Sequence, residues 1–545
     1  MNLRELLDST AARAGGRTAL RYPRGGVWRT RTYGELRERA RAAAEALRAD
    51  GVRPGDRVAL LHENAPEWAE AYFGIVAVGA AAVPMDPKLR EQEIAHILSD
   101  AGVERVLCGV RSCELLRAVE ERAPSLRKVF TLDEPPPFVG AGRVRHAEFA
   151  PIPPAADPAW SRAELNADTL ASLIYTSGTT GRAKGVMLTH GNFTANAQSC
   201  LEAIRVRADD NFLLVLPLHH SFAFTTNLLV PILAGAEISF VANLRAVGDS
   251  LREVSPTVLL AVPLLLDKMY RRIETGIREK PLARWLLALG LRGPVRRAVR
   301  AKVGGRLRLI VSGGAPCDPA LLRGLSRLGL TAVEGYGLTE AGPVVSLNPL
   351  DAPRPGTVGR PLPGVVVRLL EADASGVGEL AVRGPNVMAG YYNNPEATRA
   401  VIGEDGWLAT GDLASLDADG YITIRGRRKN LIVNREGKNI YPEEVEQQIA
   451  RSPFVLESLV LAYRDPAEPM GERVGAIVVP NLDAIAAHLG RKPTEPEVER
   501  LVRDDLRRVL AEIAEYKHPR RIRIRFEELE KTATAKIKRF RYPLD

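Results

Sequence analysis

From Tyr175 to Val186 the chain reads Tyr-Thr-Ser-Gly-Thr-Thr-Gly-Arg-Ala-Lys-Gly-Val, which sets three glycines, four hydroxyls and one lysine between apolar flanks. Glycines let backbone N–H groups approach an anion closely, hydroxyls donate to it, and Lys184 adds a point charge. Residues of these types, this densely set, form a phosphate cradle. Its candidate donors are Thr176, Ser177, Gly178, Thr179, Thr180, Gly181 and Lys184. The stretch is not a Walker A loop, in which the lysine directly follows a glycine and precedes Ser or Thr. Here Ala183 precedes Lys184 and Gly185 follows it. A Gly/Thr-rich surface turn is the plain alternative, and the density of donors argues against it.

Other chemistry-bearing stretches follow in a fixed order: Gly335-Tyr-Gly-Leu-Thr-Glu340, Thr410-Gly-Asp412, Gly426-Arg-Arg-Lys429, Gly437-Lys-Asn439 and Lys531-Thr-Ala-Thr-Ala-Lys536. This set, in this order, resembles the adenylate-forming superfamily of acyl-CoA synthetases, peptide-synthetase adenylation domains and luciferases. The resemblance runs from about Leu6 to about Arg541.

It implies an enzyme that activates a carboxylate with ATP and Mg2+ and then passes the acyl group to CoA. The loop from Thr176 to Lys184 would embrace the β- and γ-phosphates. Tyr336 would stack on adenine over a floor of Gly313, Gly314 and Ala315, within a nucleotide pocket that includes Glu334, Gly335 and Gly337. Thr339 could bond the α-phosphate. Glu340, a hard oxygen ligand, suits Mg2+ together with Thr176. Asp412 and Arg427 would take the ribose hydroxyls, and Lys536 would be the cation for the phosphoryl transition state. Lys429 falls at the family's hinge. Gly437, beside Lys438, falls where the thiol route needs a residue without a side chain. Two departures stand out. Ala535 occupies the place of the usual glycine before the C-terminal lysine, and Glu530 that of the usual proline before Lys531. If that glycine adopts positive φ, alanine costs on the order of 1 kcal/mol.

Pro217-Leu-His-His-Ser-Phe-Ala-Phe224 resembles the segment lining the family's acyl site, with His220 at the gating position; capping of a strand is the alternative for His219 and His220. Phe222 to Pro231 carries no charge, which predicts an apolar pocket. The GYGLTE and Gly437–Glu444 stretches look closest to fatty acyl-CoA synthetases. The sequence-based reading is therefore an acid–thiol ligase for a medium- or long-chain fatty acid. Its rivals are an aryl- or other carboxylate–CoA ligase, transfer to a carrier-protein phosphopantetheine, and a non-catalytic acyl-adenylate-binding protein.

The elements that must position these residues read as α/β. Leu36 to Leu47 and Trp68 to Val78 have helical periodicity, while Arg57–Leu61, Ala81–Val83, Leu170–Tyr175, Phe212–Leu216, Glu237–Val241, Thr257–Val262 and Leu307–Val311 read as strands. Such alternation predicts parallel sheets with crossover helices, and ligands then sit beyond the carboxyl ends of strands. After Asn348 short strands between Pro/Gly turns predict a small β-subdomain. Helices over Glu443–Ile449 and Thr494–Leu510 and a strand over Val455–Ala462 predict a smaller, mobile α+β C-terminal domain. The domain reading is residues 1–425, a hinge at 426–429, and 430–545. Glu134 to Pro158, rich in Pro and Ala, reads as a surface connection.

Composition bounds the rest. A chain of 545 residues is too long for one ordinary domain. Its 75 basic and 66 acidic residues mostly alternate, so nucleic acid is not an inferred partner despite the net charge of +9. The more one-sided stretches, Arg292–Arg308 and Arg520–Arg525, read as solvated faces or as surfaces for CoA or an anionic membrane. The four cysteines form no CxxC pair and there is no secretory signal, which suits a reduced cytoplasmic chain. Apolar runs such as Val258–Leu266 fall well short of the roughly 20 residues that span a bilayer. A homodimer and a peripheral membrane contact stay open as readings.

Overall fold

The computed structural model describes residues 1–138, 143–153, 159–176, 182–465, 468–531 and 537–544. The chain divides into two compact units, one of Met1–Val367 with Val382–Leu408, the other of Arg368–Ala381 with Ala409–Asp545.

The large unit holds two mixed sheets. In the nine-stranded sheet the order is Arg360–Pro361, Val344–Leu347, Ala332–Gly337, Leu309–Ser312, Val258–Ala261, Asn211–Leu214, Glu237–Phe240, Thr18–Arg24 and Val27–Thr32. Neighbours from Ala332–Gly337 through to Thr18–Arg24 are parallel. In the eight-stranded sheet the order is Gly390–Tyr391, Lys184–Thr189, Leu170–Thr176, Ala81–Pro84, Arg57–Leu61, Arg105–Cys108, Lys128–Thr131 and Arg145–Glu148. The six strands from Leu170–Thr176 to Arg145–Glu148 pair in parallel. Strands covered on both faces read as continuous apolar runs, and Val58–Leu61, Ala81–Pro84 and Leu309–Ser312 are buried throughout.

The predicted strands and helices are present, with edges set by local chemistry. The first predicted helix begins earlier, at Tyr33. Thr32 caps it by accepting from the Glu35 N–H at 3.2 Å, while the Glu35 carboxylate returns to the Thr32 N–H at 2.7 Å. The stretch from Glu134 to Pro158 is more than a connection, because Arg145–Glu148 adds a parallel strand beside Lys128–Thr131. Its four-residue length gave no periodicity to read. His146 anchors it, buried and 2.9 Å from the Glu120 carboxylate. All four cysteines are buried and unbridged. Between the layers of the large unit lies an aromatic cluster: Trp68 stacks on Tyr72 at 5.3 Å, and Phe224 packs on Tyr72 at 4.3 Å and Phe193 at 4.9 Å.

The smaller unit contains most of a four-stranded sheet in the order Val366–Leu370, Val377–Arg383, Leu408–Leu416 and Ile422–Arg427, the β-rich part predicted after Asn348. Beyond it, Val455–Asp465, Glu468–Pro480 and Arg521–Ile524 form a three-stranded sheet. Helix Glu495–Leu510 buries Val498, Val502, Leu506, Val509 and Leu510, one apolar stripe, in a core shared with Val445 and Ile449 of helix Pro442–Ile449.

Candidate active site

In the large unit the register of two parallel strands brings one group of the candidates together. Ser312 pairs with Glu334, so Gly313–Ala315 leave their strand beside Gly335–Gly337, which continue in the sheet against Val344–Leu347. A Cβ at Gly313 would lie 2.7 Å from the tip of the half-buried Phe222 ring, which would then have to shift. At Gly337 a Cβ would fall 2.0 Å from the Pro343 carbonyl oxygen. Gly314 turns the chain at φ +82°. Tyr336 is half-buried on the strand end.

Glu334 is buried, and its Oε1 accepts the Cys317 N–H at 2.9 Å. Burial pushes this carboxyl up to about 8, so it is protonated at neutral pH and makes a poor metal ligand. Glu340 differs. It lies half-buried in the turn Thr339–Ala341, and its Oε1 accepts the Tyr391 hydroxyl at 3.0 Å. The Ser221 hydroxyl donates to Thr339 Oγ1 at 3.2 Å, which places the segment Pro217 to Phe224 beside that turn.

Tyr391 also faces Lys184. Lys184 Nζ stands 5.0 Å above its ring. Leu170–Thr176 and Lys184–Thr189 form an antiparallel pair with Thr176 opposite Lys184, and Gly390–Tyr391 adds a third strand. Lys184 thus begins a β-strand, where a Walker A lysine would begin a helix. Ser177, Gly178, Thr179, Thr180 and Gly181 lie outside the described residues. Three backbone and amide bonds fix Tyr391 near Glu340: Met388 N–H to Glu340 O at 2.9 Å, Asn386 Nδ2 to Ala341 O at 2.8 Å, and Asn192 Nδ2 to Val387 O at 2.8 Å. Sequence reasoning passed over Tyr391. The only signal was an aromatic pair after a glycine, too common to single out.

His219 and His220 sit ring to ring at 4.2 Å. His219 is buried with Nε2 3.6 Å from Asp86 Oδ2; burial, with His220 and Lys88 nearby, holds its pKa well below the usual imidazole value. His220 is half-buried and immediately precedes the turn Ser221–Ala223. The segment continues as one π-helical stretch, Phe224–Leu229, fully buried, with the Thr225 hydroxyl donating to Gly342 O at 3.2 Å.

In the smaller unit Asp412 and Arg427 face each other across adjacent strands and form an ion pair at 2.9 Å, with Asp412 only 5% exposed. Arg428 pairs with Glu379 and, at 2.9 Å, with Glu371. Lys429 occupies the short turn Arg428–Asn430, where burial and the nearby Arg427 and Arg539 lower its pKa. Gly437 lies in the turn between Ile432–Val433 and Asn439–Ile440 at φ +72°, and a Cβ there would meet nothing within 4 Å. Lys438 pairs with Glu436 at 2.8 Å.

Ala535 and Lys536 lie outside the described residues, but the chain is pinned on both sides of them. Lys531 forms an ion pair with Glu457 and bridges to Ile537, and Arg539 Nη2 donates to both oxygens of Glu446 at 2.7 Å. Glu446 is half-buried, and the loss of solvent around it pushes its carboxyl up to about 7. Arg539 was also missed, because nothing in its basic neighbourhood distinguishes it from a solvated arginine.

The donor set suits ATP and Mg2+. Among the described residues no group of three or more His, Cys, Asp or Glu forms a metal centre. A cation here would rest on one carboxylate, Glu340, with the Thr176 hydroxyl and the nucleotide's own phosphates, the usual manner for Mg2+.

Residues 7–392 match the family described as AMP-binding enzyme, and residues 444–536 match the AMP-binding enzyme C-terminal domain. The chain belongs to the AMP-binding enzyme family. This AMP-binding enzyme is 34% identical to a feruloyl-CoA synthase of Amycolatopsis over 483 residues, 87% of this chain and 86% of that one. It is 32% identical to the long-chain-fatty-acid–CoA ligase FadD15 of Mycobacterium tuberculosis over 472 residues, 81% of this chain and 76% of that one. Among solved structures, ATP-bound MatB from Rhodopseudomonas palustris superposes with a TM-score of 0.77 at 26% identity, covering 99% of this chain and 98% of that one. Adenylate-forming CoA ligases use ATP, Mg2+ and CoA, and joining an acid to CoA is the activity that the two named ligases share. Their acids differ. Among the described residues of this AMP-binding enzyme, no helix is long and apolar enough to cross a membrane.

Proposed function

We propose that this enzyme is an ATP-dependent acid–CoA ligase whose acid is a medium- or long-chain fatty acid. The supporting observation is the wall beside Thr339. From Ala223 to Ile232 every side chain is buried and none is charged, and Ser221 ties that wall to Thr339. A second charge on the acid would find no opposite charge in that stretch, whose polar side chains are those of Thr225, Thr226 and Asn227.

In this reading Thr339 and the loop up to Lys184 orient the triphosphate so that a carboxylate oxygen attacks the α-phosphorus and pyrophosphate leaves. Bound Mg2+ neutralises phosphate charge. Tyr391 holds Glu340 in place for it. Tyr336 and the strand ends at Gly313 and Gly335 flank the base, Asp412 and Arg427 take the ribose, and Lys536 stabilises charge on the phosphorus. The CoA thiol then attacks the acyl carbonyl, and AMP departs. Lys429 serves as the hinge between the two half-reactions and Gly437 leaves room for pantetheine, with residues 430–545 as the mobile domain.

The test is pyrophosphate release over acids from acetate to stearate, with benzoate and ferulate, each with and without CoA. Each methylene buried should raise kcat/KM about fourfold, from about 0.8 kcal/mol, until the pocket ends. A best substrate of acetate or benzoate would overturn the reading. A second reading, an aromatic acid, is favoured by Phe222. Its ring lies over Gly313 and offers a flat face where a long tail would have to displace it. Preference for ferulate over every fatty acid would decide for it.

A further inference from the structure

The helix Pro281–Ala288 has the wrong side out. Leu282, Trp285 and Leu289 fall at i, i+3 and i+7, one stripe, and such a stripe normally faces a core. Here it faces solvent: Leu282 is 67% exposed, Trp285 60% and Leu289 55%. No residue of this helix is buried. Leu291 continues the apolar patch. The following helix, Arg292–Lys302, is fastened to the body by buried Val295 and Val299 and by Arg296 and Arg300, whose Nε atoms donate to Arg327 O at 2.9 Å and Gly329 O at 3.1 Å.

The charges around the patch have one sign. From Lys280 to Cys317 the sequence holds nine basic residues and no Asp or Glu. Lys280, Arg284, Arg292 and Arg297 are exposed. An exposed tryptophan and leucines rimmed by arginines match an interface that is apolar beneath and anionic above. A protein partner could satisfy the apolar stripe alone. The uniform positive rim is what a lipid headgroup layer complements.

We infer that the Pro281–Lys302 hairpin is a docking surface for an anionic lipid bilayer, inserting Leu282, Trp285 and Leu289 while Arg284, Arg292 and Arg297 meet the headgroups. The inference does not depend on which acid the enzyme activates.

The test is co-sedimentation of the full chain with vesicles of equimolar phosphatidylglycerol and phosphatidylcholine, against pure phosphatidylcholine, with size-exclusion chromatography alongside. The wild type should partition onto the anionic vesicles, more weakly onto neutral ones, and less as salt rises. Trp285→Ser with Leu289→Ser should lose more than tenfold in partition, and Arg292→Ala with Arg297→Ala should lose roughly fivefold per charge. The fluorescence of Trp285, taken as the difference from Trp285→Phe, should shift to the blue on vesicles. All these side chains are exposed, so folding and ATP–pyrophosphate exchange should be unaffected. Absence of wild-type partition, or equal partition of the variants, would overturn the inference. So would a dimer that forms without lipid and dissociates in Trp285→Ser/Leu289→Ser, because a second copy would then be the occupant.

Discussion

Replacing Tyr391 with phenylalanine removes one oxygen and leaves the ring under Lys184. The lost bond runs from the Tyr391 hydroxyl to Glu340 Oε1 at 3.0 Å. A hydrogen bond to a charged group contributes about 1.5–3 kcal/mol, and the half-buried setting places this one near the lower value. A loss of about 1.5 kcal/mol is roughly tenfold in rate or affinity. Since Tyr391 is argued to act by holding Glu340 for Mg2+, the loss belongs to metal use. ATP–pyrophosphate exchange, titrated with Mg2+ at saturating acid, is the assay. Tyr391→Phe should raise the half-saturating Mg2+ concentration and lower kcat/KM for ATP, each about tenfold, with the melting temperature nearly unchanged. Tyr391→Leu also removes the ring 5.0 Å from Lys184 Nζ. That contact is worth about 0.5–1 kcal/mol at an exposed site, so a further two- to fivefold loss should appear in KM for ATP. An unchanged Mg2+ half-saturation in Tyr391→Phe refutes the argument, and a fall in melting temperature without it would make Tyr391 a packing residue.

Three further outcomes follow from other residues. Glu334 titrates near 8 in the fold against 4.5 for an ordinary carboxyl. The unfolded chain therefore binds fewer protons between those values, and stability falls as pH rises through them, by up to about 3 kcal/mol at pH 7. Glu334→Gln should flatten that slope in melting curves; parallel curves would mean that the group is ionised in the fold. Gly437→Leu places a side chain at φ +72°, which costs about 1 kcal/mol of local stability, and should block CoA thioester formation while sparing pyrophosphate release. An equal fall in both half-reactions would assign Gly437 to structure. Lys536→Ala should nearly abolish adenylate formation yet leave thioester formation from supplied acyl-adenylate largely intact, and equal losses would remove Lys536 from the first transition state.

Much of this protein was legible in its sequence because the signals are local. The family was read from motifs that each lie within a short stretch, such as the Gly, Thr and Lys residues of Tyr175–Val186. Buried parallel strands announce themselves as apolar runs, so Arg57–Leu61 was read with the bounds that the structure gives. The α/β class followed from the same periodicities. The tertiary structure decided what depends on residues far apart in sequence. The bond from Tyr391 to Glu340 spans 51 positions, and the ion pair from Arg539 to Glu446 spans 93. No periodicity relates such pairs, and only the packing of the elements that carry them brings them together. The need for glycine at Gly313 was expected from the nucleotide, and the fold adds the Phe222 ring, whose tip would have to shift for a Cβ there. Exposure was decided in the same way. The stripe of Leu282, Trp285 and Leu289 reads in sequence like any core-facing helix, and its position outside the packed layers turns it toward water. A hydrophobic pattern specifies that a face must be covered, and the three-dimensional arrangement alone decides whether the protein's own core covers it.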